Sequence, residues 1–517
     1  MAAVPFAHDR AGLDHDVVIV GSGFSGIGAA VELQRRGFQD YVILEKADAI
    51  GGTWRDASYP GLEVDMPSFI YSYPFALSAD WDHVYPRGAQ ILDYTRATAA
   101  RFGVDARVRT DCAVRRSTWD DAAGCWTTEL ESGERIRSRF LVSASGLLVD
   151  PQLPSIEGIE TFSGPVVHTG RWDHDLPLEG KRVAVIGTGA SAIQLVPSIV
   201  DDVAALSVFQ RTPIWLMSKP DAAISPRTKR LFARWPFLQR LARWAVFAIV
   251  ELTLGPGFVH YRKFPFLIER LERSLIEWMR TQVDDPALQE ALIPRYSFFC
   301  KRPSFSNTYY ACFNREHVEL VTASIDRIEP DGIRTVDGRR HAFDVLVCAT
   351  GYSVFDPSCM PNFEIVGRTG RALGEFWAEE RYRAYEGATV PGYPNLFLFM
   401  GPYSAAGASY FTMIDTQSRH MSRVLVEARR RGASRIEVRK DAFDADFARV
   451  ERRREDTLLF AGDCAASNSY YFDAHGDTPG LRPVTGGQHW LRSRTFPLSD
   501  YHFDTGPPGT IAGERAV

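Results

Sequence analysis

Two glycine-rich turns, each between an apolar strand and an apolar helix, constrain the fold of this chain most. The first turn is Gly21-Ser22-Gly23-Phe24-Ser25-Gly26, and the second is Gly187-Thr188-Gly189-Ala190-Ser191-Ala192. In this pattern one glycine permits a tight turn, another lets backbone approach a pyrophosphate, and the helix N-terminus binds the phosphates. The sequence therefore predicts an α/β protein with two Rossmann-like domains, each of which binds one dinucleotide.

The residues after the next strand of each unit distinguish the two dinucleotides. Glu45, followed by Lys46, stands nineteen residues after the first turn, where a carboxylate bonds ribose hydroxyls. The second unit has Arg211 and Thr212 at this place. An acid would repel a 2′-phosphate, whereas an arginine binds it bidentately, so the second site is predicted to take NADP(H). The alternative is that Arg211 is a solvated surface charge.

The length of 517 residues predicts more than one hydrophobic core. We expect the first dinucleotide domain to combine residues 1–150 with residues 385–517, and the second to occupy residues 151–384. Within the second domain, residues 225–294 carry leucines at helical spacing, which predicts a helical insertion. The part from residue 229 to 244 is rich in Arg, Phe and Trp, and its alternative place is a membrane surface.

Composition argues against several classes of protein. The net charge of −5 gives no reason to expect nucleic acid as a partner. The seven cysteines are scattered without a CxxC pair, which argues against a disulfide framework and a metal site and favours the cytoplasm. The N-terminus lacks the apolar core of a secretory signal. The apolar stretch 244–254 is shorter than a spanning helix needs, so we expect no integral membrane segment.

Two longer motifs follow the turns in order. Residues 51–65, here called the signature segment, read GGTWRDASYPGLEVD, and residues 162–173, the linker motif, read FSGPVVHTGRWD. They resemble the two signatures of the Baeyer–Villiger monooxygenases, [A/G]GxWxxxx[F/Y]P[G/M]xxxD and FxGxxxHxxxW[P/D], at every fixed position. The resemblance covers the chain from about residue 16 to residue 473.

The resemblance implies FAD in the first domain and NADP(H) in the second. The expected FAD site consists of Gly21, Gly23, Phe24, Ser25, Gly26, Glu45, Lys46, Gly52, Thr53, Trp54 and Asp65. The expected NADP site consists of Gly187, Thr188, Gly189, Ala190, Ser191, Arg211, Thr212 and Lys301. Ala349, Thr350 and Gly351 end a DxxxxATG motif common in flavoproteins with two dinucleotides.

The linker motif contributes Phe162, Gly164, His168, Trp172 and Asp173. In the family this motif couples the two domains, and we carry over that role. Proton transfer by the histidine is the less favoured alternative, because a lone histidine in a linker is more often a hydrogen-bonded hinge residue.

The segment Cys300-Lys301-Arg302-Pro303 stands upstream of Tyr309-Tyr310 and Phe313-Asn314-Arg315. By composition Lys301 and Arg302 are an ordinary solvated pair, but the resemblance makes Arg302 the catalytic arginine and Asp65 the carboxylate that holds it. The implied reaction uses NADPH and O₂ to insert one oxygen atom next to a ketone carbonyl through a C4a-peroxyflavin, giving an ester or lactone. The expected substrate is a small-molecule ketone that is apolar and, because aromatic residues stand near the proposed pocket, bulky. We expect the protein to be a monomer or a small homo-oligomer.

Oxygenation of a thioether sulfur or an amine nitrogen is the main alternative. A disulfide reductase is disfavoured by the missing CxxC, and a catalytically silent flavoprotein by the intact Asp65 and Arg302. The chain also departs from the family pattern at Leu62-Glu63-Val64, Glu386 and Tyr403. Residues 403–406 and 468–471 are candidates for lining the substrate side of the active site. Core packing explains their aromatic side chains equally well.

Overall fold

The computed structural model describes residues 12–253, 255–355, 360–407 and 409–505. The N-terminal stretch used in the targeting argument, residues 1–11, and one of the seven cysteines, Cys359, lie outside these ranges.

The N-terminal part builds most of an eight-stranded sheet. Its strands are β1 (His15–Val20), β2 (Tyr41–Leu44), β3 (Val108–Arg109), β4 (Val114–Asp120), β5 (Cys125–Leu130) and β6 (Arg135–Ser143). Its helices are α1 (Phe24–Arg35), α2 (Thr53–Asp56) and α3 (Gly88–Arg101), with a 3₁₀ turn at Asp105–Arg107. Strand β1 is parallel to β2 and to β6, as a Rossmann-like unit requires.

The middle part contains a five-stranded parallel sheet and the predicted helices. Its strands are β7 (Val166–His168), β8 (Arg182–Ile186), β9 (Ala205–Phe209), β10 (Leu216–Met217), β11 (Ser304–Phe305), β12 (Val318–Val321), β13 (Ile325–Glu329), β14 (Gly332–Thr335), β15 (Arg340–Ala342) and β16 (Val345–Cys348). Its helices are α4 (Ala190–Ile199), α5 (Pro226–Arg234), α6 (Pro236–Thr253), α7 (Gly255–Val259), α8 (Pro265–Arg280), α9 (Pro286–Leu292) and α10 (Tyr309–Cys312). The parallel sheet runs in the order β12-β9-β8-β16-β7.

The C-terminal part returns to the first sheet. It contains β17 (Glu364–Val366), β18 (Leu396–Leu398), β19 (Arg435–Val438) and β20 (Tyr501–Asp504), with α11 (Leu373–Glu380), α12 (Tyr410–Arg431), α13 (Lys440–Arg454), α14 (Leu458–Ala461) and α15 (Gly486–Thr495). Strand β17 pairs with β4, and β18 pairs with β6. The chain therefore rejoins the first sheet at Glu364, about twenty residues before the boundary that we placed after residue 384.

The fold class predicted from the sequence is confirmed: two Rossmann-like domains, with helices α5 to α9 inserted in the second. Each glycine turn follows a fully buried strand end, and the two domains have separate hydrophobic cores. The inserted helix α6 is longer than the apolar stretch 244–254 suggested, because it begins at Pro236. Most of its residues are not buried. The longer segment Pro236–Val259, which begins with α6, could cross a membrane by length and composition alone.

Candidate active site

A large cleft of about 1870 Å³ lies between the two dinucleotide domains. Both glycine turns, the signature segment, Arg302 and the Ala349–Gly351 turn line it. The carboxyl ends of parallel strands are where α/β proteins bind dinucleotides. The sequence-predicted site residues are thus brought to one place, with the linker motif as the exception.

Two glycines of the first turn, Gly21 and Gly26, have no room for a side chain. Gly21 has a φ of +103°, a conformation that L side chains rarely adopt, and a Cβ there would lie 2.6 Å from the Ala144 carbonyl oxygen. A Cβ on Gly26 would lie 1.9 Å from the Gly21 carbonyl oxygen. Gly52, with a φ of +56°, approaches Gly23 so closely that a Cβ would be 3.1 Å from its Cα. This bare backbone fits the pyrophosphate of FAD.

Glu45 is buried beside this turn and held by several donors. Its Oε2 accepts hydrogen bonds from the Ser22 backbone N–H at 2.9 Å and from the Ser22 hydroxyl at 2.7 Å. Its Oε1 accepts from the Ala47 N–H and from Arg55. Burial by itself would raise the pKa of Glu45, but these donors outweigh it and the pKa lies below its ordinary value. The carboxylate is ionised and fixed where the ribose is expected, whereas Lys46 is exposed at the rim of the cleft.

Aromatic side chains that the sequence did not single out surround the signature segment. Trp54 donates its indole N–H to the Tyr71 hydroxyl at 3.2 Å, and the Ser25 hydroxyl lies 2.9 Å from that of Tyr410. Phe24 packs against both tyrosine rings. Tyr71 and Tyr410 come from distant parts of the chain, and no local pattern distinguishes them from core aromatics.

The second glycine turn repeats the geometry of the first. Gly187 has a φ of +112°, and a Cβ there would lie 2.5 Å from the Ala349 carbonyl oxygen. The Thr188 hydroxyl donates to the Thr212 carbonyl at 2.8 Å, which fixes the turn against the strand that follows. Helix α4 begins immediately after Gly189, so its N-terminus opens into the cleft. This cradle fits the pyrophosphate of NADP(H).

Two cations converge beside the second turn. Arg211 is exposed at the end of β9, and Lys301 comes from a segment ninety residues further along the chain. Burial and the nearby charge of Arg211 lower the pKa of Lys301. Two like charges repel each other, so an anion between them is stabilised by both. The sequence prediction of a 2′-phosphate site is therefore consistent with the arrangement of charges.

Arg302 and Asp65 form a bidentate ion pair in the cleft. The Nη2 of Arg302 lies 2.7 Å from Oδ1 and 2.8 Å from Oδ2 of Asp65, and Nε lies 3.2 Å from Oδ2. The carboxylate charge raises the pKa of Arg302 above its ordinary value. Half of the arginine side chain is exposed, at 51%, whereas Asp65 is 14% exposed. The guanidinium is therefore anchored on one side and open to the cleft on the other.

The tyrosines of the 468–471 segment lie close to this guanidinium. Tyr470 and Tyr471 line the cleft, and burial raises the pKa of both hydroxyls. Asn468 donates to the Thr212 hydroxyl at 2.9 Å and ties this segment to the second domain. Of the other candidate stretch, Ala405 and Ala406 line the cleft, but Tyr403 and Ser404 are buried away from it.

The signature segment also packs against the second domain. The Tyr59 hydroxyl donates to Gln194 of α4 at 2.7 Å, and Gln194 donates back to the Glu63 carbonyl at 2.8 Å. A Cβ on Gly61 would lie 2.0 Å from the Ser198 hydroxyl oxygen. The segment thus joins the two domains. No sequence pattern pointed to Gln194.

The linker motif lies at the edge of the parallel sheet rather than in the cleft. The Gly170 N–H donates to Nδ1 of His168 at 2.9 Å, burial lowers the pKa of His168, and its ring packs edge-on against Tyr352. Phe162 and Trp172 pack onto two hydrophobic cores of the second domain. Gly164 abuts the Asp344 carbonyl, and Asp173 is exposed. This placement fits the hinge role and gives no support to proton transfer.

Two of the departures from the family pattern, Glu63 and Glu386, form ion pairs that are partly or wholly buried. Glu63 lies 2.5 Å from the ammonium of Lys219, whose side chain is 5% exposed and lies over the Tyr85 ring. Glu386 contacts Arg482 at 2.8 Å and Arg492 at 2.7 Å. Burial raises the pKa of Glu386 in spite of these cations.

One disulfide contradicts the argument from cysteine spacing. Cys300 and Cys464 are bonded, 164 residues apart in sequence, whereas Cys112, Cys125, Cys312 and Cys348 are buried free thiols. The prediction failed because the partners are brought together by the fold and not by a local motif. The bond joins the segment of Lys301 and Arg302 to the one that precedes Tyr470.

Comparison with known proteins identifies the family. A model described as pyridine nucleotide-disulphide oxidoreductase matches residues 18–240. A "Baeyer-Villiger monooxygenase" of Streptomyces coelicolor is 36% identical over 503 residues, which cover 97% of this chain and 95% of the relative. Another of that name from Pseudomonas aeruginosa is 33% identical over 96% of this chain and 93% of its own length. The chain belongs to the Baeyer–Villiger monooxygenases.

Solved structures agree with this assignment to the Baeyer–Villiger family. A cyclohexanone monooxygenase from Rhodococcus sp. Phi1 bound to NADP⁺ superposes with a TM-score of 0.83 at 25% identity, covering 95% of this chain and 99% of that one. A polycyclic ketone monooxygenase from Thermothelomyces thermophila gives 0.84 at 25% identity, covering 95% and 90%. This Baeyer–Villiger protein is an FAD-dependent monooxygenase that uses NADP(H) and O₂, as the sequence predicted.

Proposed function

We propose that this Baeyer–Villiger monooxygenase oxygenates an apolar ketone, and that Arg302 is the residue on which the step depends. The observation that carries the proposal is the open face of the Arg302 guanidinium, held by Asp65 in the cleft between the two glycine turns. Bound FAD, once reduced by NADPH, would supply the activation of oxygen.

The roles of Arg302 and Asp65 follow from their geometry. Asp65 occupies one edge of the guanidinium and fixes its plane. Arg302 lines the cleft and half of its side chain is exposed, so its remaining N–H groups can stabilise the negative charge that develops on a ketone oxygen during attack. Because arginine stays charged throughout, it stabilises this charge without transferring a proton.

The remaining site residues would bind and orient the cofactors. The Gly21–Gly26 turn and Glu45 would hold the pyrophosphate and ribose of FAD, and Thr53 and Trp54 of α2 would contact the flavin. The Gly187–Ser191 turn would hold the pyrophosphate of NADP(H), and Arg211 and Lys301 would bind its 2′-phosphate. His168 is then a positioning residue, because it pairs with Cys348 at the end of β16, next to the Ala349–Gly351 turn, without lining the cleft.

The lining of the cleft favours a bulky apolar substrate. Phe299, Tyr470, Tyr471 and Met413 lie on its walls together with Val246 and Val250 of α6. A thioether would fit the same walls and stays the second candidate. A monomeric or small oligomeric state and a cytoplasmic location remain part of this proposal, to be tested by sedimentation and cell fractionation.

The test replaces Arg302 by alanine and offers a cyclic ketone and a thioether in parallel. We expect the variant to retain FAD and its reduction by NADPH, while ketone oxygenation falls by about 10²–10³-fold, as when a charge-stabilising donor is removed. Arg295→Ala, an exposed arginine of the same segment that does not line the cleft, should leave the rate unchanged. Normal ester formation by Arg302→Ala would refute the assignment, and wild-type enzyme that forms only sulfoxide would favour the second candidate.

A further inference from the structure

The inserted helices present an unpartnered apolar surface. Its core, here called the apolar face, consists of Trp235, Phe237, Leu241, Trp244, Ile249 and Leu252, whose exposed fractions range from 50% to 75%. Residues 237, 241, 244 and 252 fall on one stripe of α6, because their spacing follows the helical repeat. Large apolar residues are normally exposed singly, so a contiguous set of this kind marks a contact surface.

The segment that carries the apolar face is rich in basic side chains. Residues 226–267 contain eight Lys or Arg and one acid, although the whole chain carries a net charge of −5. Arg227, Arg230, Arg240 and Lys263 are exposed, and within the described ranges they form no ion pair. The single acid, Glu251, faces inward and accepts hydrogen bonds from the Gly486 and Gly487 N–H groups. A partner that is apolar inside and negative at its surface complements this arrangement.

The inner side of α6 is fixed to the first dinucleotide domain. The guanidinium of Arg243 donates to the carbonyl oxygens of Phe69 and Ser72 at 3.1 and 2.8 Å. Burial lowers the pKa of Arg243 to about 10, and Gln239 donates to the Ser78 carbonyl. A helix held in this way cannot leave the protein to cross a bilayer, although its length would suffice. Its exposed stripe can lie only along a surface.

The apolar face borders the mouth of the active-site cleft. Val246 and Val250 of α6 line the cleft, and Ile249 both lines it and is 60% exposed. One side of α6 therefore lines the cleft while its outer stripe is exposed.

We propose that the apolar face binds the surface of an anionic lipid bilayer, with α6 parallel to the membrane plane. Trp235, Trp244 and the aliphatic side chains enter the acyl boundary, and the surrounding arginines contact lipid phosphates. The cleft mouth then opens at the membrane surface, where lipophilic ketones concentrate. This last point rests on the proposed ketone oxygenation, whereas membrane binding does not.

The test measures flotation of the FAD-loaded protein with vesicles. We expect binding to vesicles of phosphatidylglycerol and phosphatidylcholine in equal parts, and weaker binding to phosphatidylcholine alone. Phe237→Asp/Leu241→Asp/Leu252→Asp should weaken binding by more than about 100-fold, since each apolar side chain accounts for roughly tenfold. Arg227→Gln/Arg230→Gln/Lys263→Gln should weaken it by roughly fivefold per charge, and only on anionic vesicles. Val336→Asp, an equally exposed apolar residue on the β14–β15 hairpin at 67%, is the matched control and should bind normally.

Activity separates this proposal from the proposed function. The triple aspartate variant should oxidise NADPH with a water-soluble ketone at the wild-type rate, and lose rate only with a ketone dissolved in vesicles. Wild-type protein that stays unbound on anionic vesicles would overturn the proposal. So would a wild-type dimer that the aspartate variant converts to a monomer, because a second copy would then cover the apolar face. Wild-type protein that binds anionic vesicles but oxygenates no ketone would support membrane binding and count against the proposed ketone oxygenation alone.

Discussion

Replacement of Arg211 by alanine tests whether two cations jointly select NADPH. Arg211 and Lys301 are expected to bind one phosphate, and a charge-assisted hydrogen bond contributes about 1.5–3 kcal/mol. Because Arg211 is exposed, we expect the lower part of this range, a roughly tenfold loss of kcat/KM for NADPH. NADH has no 2′-phosphate, so its kcat/KM should change by less than about twofold.

The pH profile supplies a second readout of the same substitution. Burial and Arg211 lower the pKa of Lys301, so the lysine loses its charge at a lower pH than usual. In wild-type enzyme kcat/KM for NADPH should therefore fall as pH rises through this lowered pKa. Without Arg211 the repulsion is removed, the pKa of Lys301 rises, and the falling limb should move to higher pH.

The assay is steady-state oxidation of NADPH and NADH from neutral to alkaline pH. Lys301→Met should abolish the alkaline limb, and Arg295→Ala should change neither coenzyme. An equal loss for NADPH and NADH in Arg211→Ala would refute a phosphate role. A limb that stays in place, or moves to lower pH, would show that the two cations do not share a site.

Two further substitutions test the packing of the site. Gly26→Ala puts a Cβ 1.9 Å from the Gly21 carbonyl oxygen, so the purified variant should lack flavin absorbance. Gly189→Ala is the control and should keep its flavin absorbance, because a Cβ there meets nothing within 4 Å. Lys219→Met leaves the Glu63 carboxylate unpaired and should lower stability by about 2 kcal/mol, less than for a fully buried pair because Glu63 is 29% exposed. The double variant Lys219→Met/Glu63→Gln should regain part of the lost stability in thermal unfolding. A double variant that is no more stable than Lys219→Met would contradict the pairing.

The candidate site could be predicted largely because its residues sit in local patterns. A glycine turn after a buried strand specifies backbone geometry within a few residues, and the structure reproduces both turns. The pairing of Asp65 with Arg302 followed from the family resemblance, since 237 residues separate them. Residues such as Tyr410 and Gln194 were missed because nothing in their immediate sequence distinguishes them from core residues.

The sequence by itself determined the two dinucleotide units, their order and the charge of each ribose site, because these depend on short-range backbone and charge patterns. Only the tertiary structure decided which distant groups meet, as for Glu63 with Lys219 and Cys300 with Cys464. It also decided that the outer stripe of α6 is uncovered. An apolar helical stripe looks the same in sequence whether protein or lipid covers it, since both exclude water equally well.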